Sequence, residues 1–154
     1  MTGVRLRIVD AFTYRRFSGN PAGVVLLDHG EWPAEAWMRS IAAELGLSET
    51  AFAHPMTDRS ESDWGLRWFT PLVETDLCGH ATLATAHVIA VDTGGSRSLR
   101  FSTCSGVLPV SIAAGGAITL DFPAAPATEV AVPDGLASAL DACGALTWYH
   151  RRLA

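Results

Sequence analysis

Lysine is missing from this chain: all 11 basic residues are arginine, scattered from Arg5 to Arg152. Against 16 acidic residues they leave a net charge of −5, with no basic stripe to follow a phosphate backbone, so a nucleic-acid partner is not expected. Cysteine is scarce too. Cys78, Cys104 and Cys143 are odd in number and nowhere spaced C-x-x-C, which argues against a disulfide framework or zinc knuckle and for a reducing, cytoplasmic setting. Long hydrophobic runs are also lacking. Arg5, Arg7 and Asp10 break up the first ten residues, so neither a signal peptide nor a membrane anchor is expected there. No internal repeat or low-complexity tract appears. The remainder is globular: 49% hydrophobic and 18% charged over 154 residues, enough for one good core.

The stretch around which the rest is organised runs from Arg67 to Val91, RWFTPLVETDLCGHATLATAHVIAV. From Gly79 onward only His80, Thr82, Thr85 and His87 are polar, and the apolar residues cover the circumference rather than one stripe. Such a helix is a buried helix. It is too short and too often interrupted to span a membrane, so the flanking β-type segments must wrap it. Its start, Leu77-Cys78-Gly79-His80-Ala81-Thr82, leaves backbone N–H groups free at the positive end of the helix dipole, a place for a carboxylate or phosphate.

Read in order, Val4 to Phe12 alternates apolar and polar as a half-buried strand does, and Val24-Val25-Leu26-Leu27 reads as a more buried one. Between them lies a loop ending Gly19-Asn20-Pro21. Pro33 can open an amphipathic helix with Trp37, Ile41 and Leu45 on one face and Gly46 as its stop, an external helix. Leu47 to Ala53 and Trp64 to Phe69 read as strands, and three more follow the central helix, separated by Gly94-Gly95, Gly106 and Gly115-Gly116. After Pro123 the composition turns to Pro and Ala, with Asp134 able to cap a short helix to Ala142. The expected class is α+β: a mostly antiparallel, curved sheet closed around one buried central helix, with an external helix outside.

Five segments, DAFTYRRFSGNPAGVVLL, LGLSETAF, RWFTPLVETDLCGHATLATA, FSTCSGVLPV and ITLDFPAAP, stand in an order and at intervals that resemble the N-terminal lobe of the phenazine-biosynthesis PhzF-like isomerase family. They are more distantly similar to diaminopimelate epimerase. The resemblance covers residues 4 to 126. It implies a single diaminopimelate-epimerase-like lobe over 1–126, a Pro/Ala-rich tail over 127–154, and a second, facing lobe that this chain lacks. It also implies cofactor-free proton transfer on a small carboxylate-bearing substrate, in the cleft between two lobes.

Residue by residue, Glu49 in Ser-Glu-Thr matches the family's catalytic glutamate, which in the phenazine enzyme is thought to move a proton between carbons of a dihydro-hydroxyanthranilate. The bland alternative is a solvated carboxylate at a strand start. His80 matches the family's Cys-Gly-His, where it would orient substrate or assist the proton shuttle, and equally reads as a structural imidazole at a helix start. Cys78, Gly79 and Ala81 would line the substrate-binding helix start. For Cys78 two roles compete: a thiol whose pKa the helix lowers, as the related epimerases resemble, or a small buried hydrophobe, which is preferred because no second thiol is supplied. Asn20, Ser105 and Gly106 resemble positions that shape the family's pocket, and Asn20 before Pro21 also simply makes a turn. His87 lies two turns beyond His80, but no third ligand follows at metal spacing, and no metal is expected. Glu74 and Asp76 read as acidic residues favouring the helix dipole.

Two classes of function therefore stand. One is a PhzF-like isomerase working through Glu49; the other is a catalytically incomplete lobe that binds a small anion or a partner lobe. An isolated lobe leaves its cleft face bare, so a homodimer is expected, with Trp148 and Tyr149 near the contact.

Overall fold

The computed structural model describes residues 4–28, 31–95, 98–124 and 131–140. Along the chain come β1 (Arg5–Ala11), β2 (Asn20–Leu26), α1 (Glu35–Leu45), β3 (Thr50–Pro55), β4 (Trp64–Phe69), β5 (Glu74–Thr75), α2 (Gly79–Thr93), β6 (Ser98–Thr103), β7 (Gly106–Ile112), β8 (Ile118–Leu120) and α3 (Leu136–Ala139). Residues Met1–Phe122 form one compact unit and Pro123–Ala154 another. In the second unit α3 begins behind Gly135, in the left-handed conformation, rather than at Asp134. Cys143, Trp148 and Tyr149 lie outside the described residues. Among the described residues no helix is long and apolar enough to cross a membrane.

All eight strands share one sheet in the order β1-β2-β3-β4-β6-β7-β8, with β5 paired to β4. Most neighbours are antiparallel, but β2–β3 and β4–β6 are parallel. A parallel pair needs a crossover. The first crossover carries α1 and the second carries α2, and the two helices pack on opposite faces of the sheet.

Strand alternation decides which side chain meets which helix. Ala22, Val24 and Leu26 of β2, Ala51 and Ala53 of β3, Leu66 and Trp68 of β4, and Leu99 and Phe101 of β6 point inward and form the main core with α2. Their neighbours Val25, Phe52 and Phe69 point outward and pack with Met38 and Ala42 of α1. The buried line of α1 is thus Met38–Ala42, with Trp37, Ile41 and Leu45 as its half-exposed flanks rather than its centre. A wide apolar face suits a helix laid across a sheet better than a single seam.

Helix α2 is the central helix expected from its composition, and its small residues let the sheet approach closely. His80, Ala81, Thr82, Ala84, Thr85, Ala86, Val88 and Ile89 are all buried. Thr82 and Thr85 are satisfied there because their hydroxyls donate to the carbonyls of Cys78 (2.6 Å) and Ala81 (2.7 Å). Closure is nevertheless incomplete. Among the described residues β1 and β8 do not pair, and the stripe Leu83, His87, Val91 faces the opening between them, so Leu83 is only half-buried and His87 is exposed. The sheet is a curled half-barrel.

Candidate active site

Glu49 immediately precedes β3. Counting back by twos from Ala53 and Ala51 puts it on the inward face, toward α2, while Thr50 turns toward α1. The N–H of Gly23 donates to the Glu49 carbonyl at 3.3 Å, which ties the strand start to β2. From the other side comes the first turn of α2. Cys78 is the N-cap residue, in extended conformation, and His80 follows inside the helix.

The two meet. Nε2 of His80 lies 3.5 Å from a carboxylate oxygen of Glu49 and 3.4 Å from the hydroxyl of Ser48. Its other nitrogen, Nδ1, lies 3.4 Å from Sγ of Cys78. His80 is 8% exposed and Cys78 7%, whereas Ser48 is open to solvent and Glu49 half-buried. The group therefore grades from a dry interior at the thiol to the surface at the carboxylate. Ser48 was not singled out by sequence reasoning, although it sits beside Glu49 in the same Ser-Glu-Thr segment.

Burial pushes the Cys78 thiol up to about 11. The N–H groups of Ala81 and His80 pull the other way, and the nearby Glu49 charge adds to the rise. Desolvation thus outweighs the helix terminus, and the lowered, thiolate-forming cysteine considered from sequence is not what this environment makes. Donor atoms of Glu49, Cys78 and His80 lie within 4.8 Å of one another, close enough to suggest a cation site. The three groups sit in mutual contact at the start of α2, with the thiol nearer Nδ1 and the carboxylate nearer Nε2.

The remaining candidates gather at the same end of the sheet. Asn20 opens β2, exposed, with the inward parity of Ala22. Gly79 is half-exposed, and a Cβ there would stand 3.3 Å from the Phe122 ring, which would have to shift by a few tenths of an ångström to admit it. Ala81 is buried on α2. Ser105 and Gly106 form the β6–β7 turn, which Gly106 closes at φ +97. The turn is tied to the approach of α2, for the Ser105 hydroxyl donates to the Asp76 carbonyl at 2.7 Å. Glu74 has a different role from the one its position suggested. It grips Arg67 through two hydrogen bonds of 2.7 and 2.5 Å across the β4–β5 pair, and is a strand clamp rather than a partner of the helix dipole.

Comparison with known proteins agrees with this architecture. The family model described as phenazine biosynthesis-like protein (PhzC-PhzF) matches residues 9–146. An uncharacterized isomerase of Halalkalibacterium halodurans is 45% identical over 136 residues, covering 86% of this chain and 49% of that protein. A phenazine biosynthesis-like domain-containing protein of Homo sapiens is 48% identical over 125 residues, covering 78% and 42%. The crystal structure of a PhzF-family phenazine biosynthesis protein of Enterococcus faecalis superposes with a TM-score of 0.73 at 40% identity, covering 88% of this chain and 50% of that one. The chain thus spans about half the length of the relatives it matches. With its curled sheet around a central helix and a match over most of its residues, it belongs to the phenazine biosynthesis-like (PhzC-PhzF) family, whose relatives include proteins named as isomerases.

Proposed function

We infer that this chain is one lobe of a cofactor-free isomerase that moves a proton between carbons of a small carboxylate-bearing substrate. The observation that carries the reading is the contact between Glu49 and Nε2 of the buried His80 at the start of α2. Glu49 takes a proton from an activated C–H bond, the electron pair is delocalised through the substrate's conjugated system, and the proton returns to a second carbon. His80 holds the carboxylate in place at the substrate's edge. Gly79 and Ala81 at the helix start, with Asn20, Ser105 and Gly106 around the rim, receive the substrate carboxylate. Cys78 belongs to this group through His80 rather than through the substrate, since its thiol is buried against the ring.

The test is solvent-deuterium incorporation into a dihydro-hydroxyanthranilate, followed by NMR. Wild-type protein should exchange the proton, and Glu49→Gln should reduce the rate at least ~10²-fold while leaving the fold intact. Equal incorporation by both would exclude Glu49 as the base. A second reading, a lobe that works only when paired, is favoured by the exposed apolar side chains Phe12, Tyr14 and Phe17 between β1 and β2. Under it the open face is completed by a second copy or a separate lobe. Light scattering at micromolar concentration should then give twice the chain mass; a monomer mass would end the dimer arm.

A further inference from the structure

We propose that Cys78 is a positioning residue: its S–H donates to Nδ1 of His80 and so holds the ring with an N–H at Nε2, turned to Ser48 and beside Glu49. The proposal deepens the proton-transfer reading above and rests on it for its catalytic meaning.

The geometry leads there from the opposite end of the ring. An ionised carboxylate only accepts, so a bare Nε2 facing Glu49 at 3.5 Å would set two lone-pair centres against each other. An N–H at Nε2 instead finds the Ser48 hydroxyl at hydrogen-bond distance, with the Glu49 carboxylate beside it. A neutral imidazole carries one proton, so Nδ1 is then an acceptor and needs a donor. Nδ1 points into the buried side, where an unpaired acceptor is costly. The group that faces it is the Cys78 thiol, at 3.4 Å. Burial keeps that thiol protonated, which leaves it a hydrogen to give. The N-cap placement contributes as well. Cys78 and His80 are two residues apart across the helix start, so the backbone turn that begins α2 also sets the sulfur beside the ring.

This separates the proposal from the reading of Cys78 as a mere small hydrophobe. A filler is replaced better by Ala than by Ser, because a buried hydroxyl without a partner is penalised. A donor is replaced better by Ser, whose O–H can take over the bond.

The experiment is a long-range 15N–1H correlation spectrum of histidine-labelled protein at about pH 8, above the ordinary imidazole range. His80→Gln identifies the His80 signals among the five histidines. The expected wild-type pattern is a proton on Nε2 and a hydrogen-bonded, unprotonated Nδ1. Cys78→Ser should keep that pattern, and Cys78→Ala should shift the Nδ1 signal toward that of an acceptor without a donor. In the deuterium assay the Ala variant should lose on the order of tenfold in rate at saturating substrate, with Ser restoring most of it. A wild-type proton on Nδ1, or an Nδ1 signal unmoved in Cys78→Ala, overturns the proposal. The wild-type spectrum needs no variant, so a misfolded mutant does not blunt the test. Wild-type exchange that fails beside an intact Nε2–H pattern overturns the catalytic reading alone.

Discussion

Ile89 and Leu83 lie on the same buried helix, six residues apart, yet they should respond very differently to truncation. Ile89 is 1% exposed and packs into the main core under the sheet. Replacing it with alanine removes three carbons from that core, about 2.4 kcal/mol of lost transfer energy at ~0.8 kcal/mol each. The cavity left behind adds to this, because strands on a curled sheet collapse onto a hole only partly, and the total should reach about 3–4 kcal/mol. Leu83 instead faces the opening between β1 and β8 and is half-buried. About half the transfer term applies there, and water fills the vacated space, so Leu83→Ala should cost roughly 1 kcal/mol. Urea unfolding followed by circular dichroism measures both, with equal m-values required before the midpoints are compared. Equal losses at the two positions would refute the half-barrel as drawn. A loss below about 1 kcal/mol at Ile89 would remove α2 from the core altogether.

Asp63 accepts the Arg100 guanidinium at 3.2 Å and its backbone N–H at 2.9 Å, which fastens the β3–β4 loop to β6, and the guanidinium bond above all holds the Asp63 carboxyl below its usual 3.8. Asp63→Asn should therefore cost about 1 kcal/mol near neutral pH, a charged hydrogen bond discounted for partial exposure. A depressed carboxyl stabilises above its unfolded value and loses that contribution as pH falls through the folded one, so wild type and variant should converge as the pH is taken well below 3.8 in pH-dependent melts. A gap that persists there would mean the charge is not what fastens the loop. Cys78, with its thiol pushed up to about 11, should resist iodoacetamide at about pH 8, where only ~10⁻³ of it is thiolate. Exposed Cys104 should label far faster. Peptide mass spectrometry tells the two apart, and equal labelling would show the helix start to be open.

The central helix was legible in composition alone, because a segment apolar on every side has no stable place except inside. The class of fold followed from it, as did the turns at Gly46, Gly94 and Gly106, each at positive φ as a helix end or a tight turn demands. The five collinear motifs carried the family. The same resemblance marked Glu49 and His80 as residues of interest, 31 positions apart.

Their meeting was decided by tertiary structure. It depends on the inward parity of β3 and on which face of the sheet α2 crosses, and neither is written in the segments themselves. The same long-range geometry turned Glu74 to Arg67, left Leu83 at an opening that its sequence neighbours do not share, and brought Ser48 to the imidazole. It also set the state of the Cys78 thiol. Next to a helix start a lowered pKa and a small buried hydrophobe both stood as readings, the second preferred; burial under the curled sheet removes the water that would solvate a thiolate, and desolvation is a property of the whole fold.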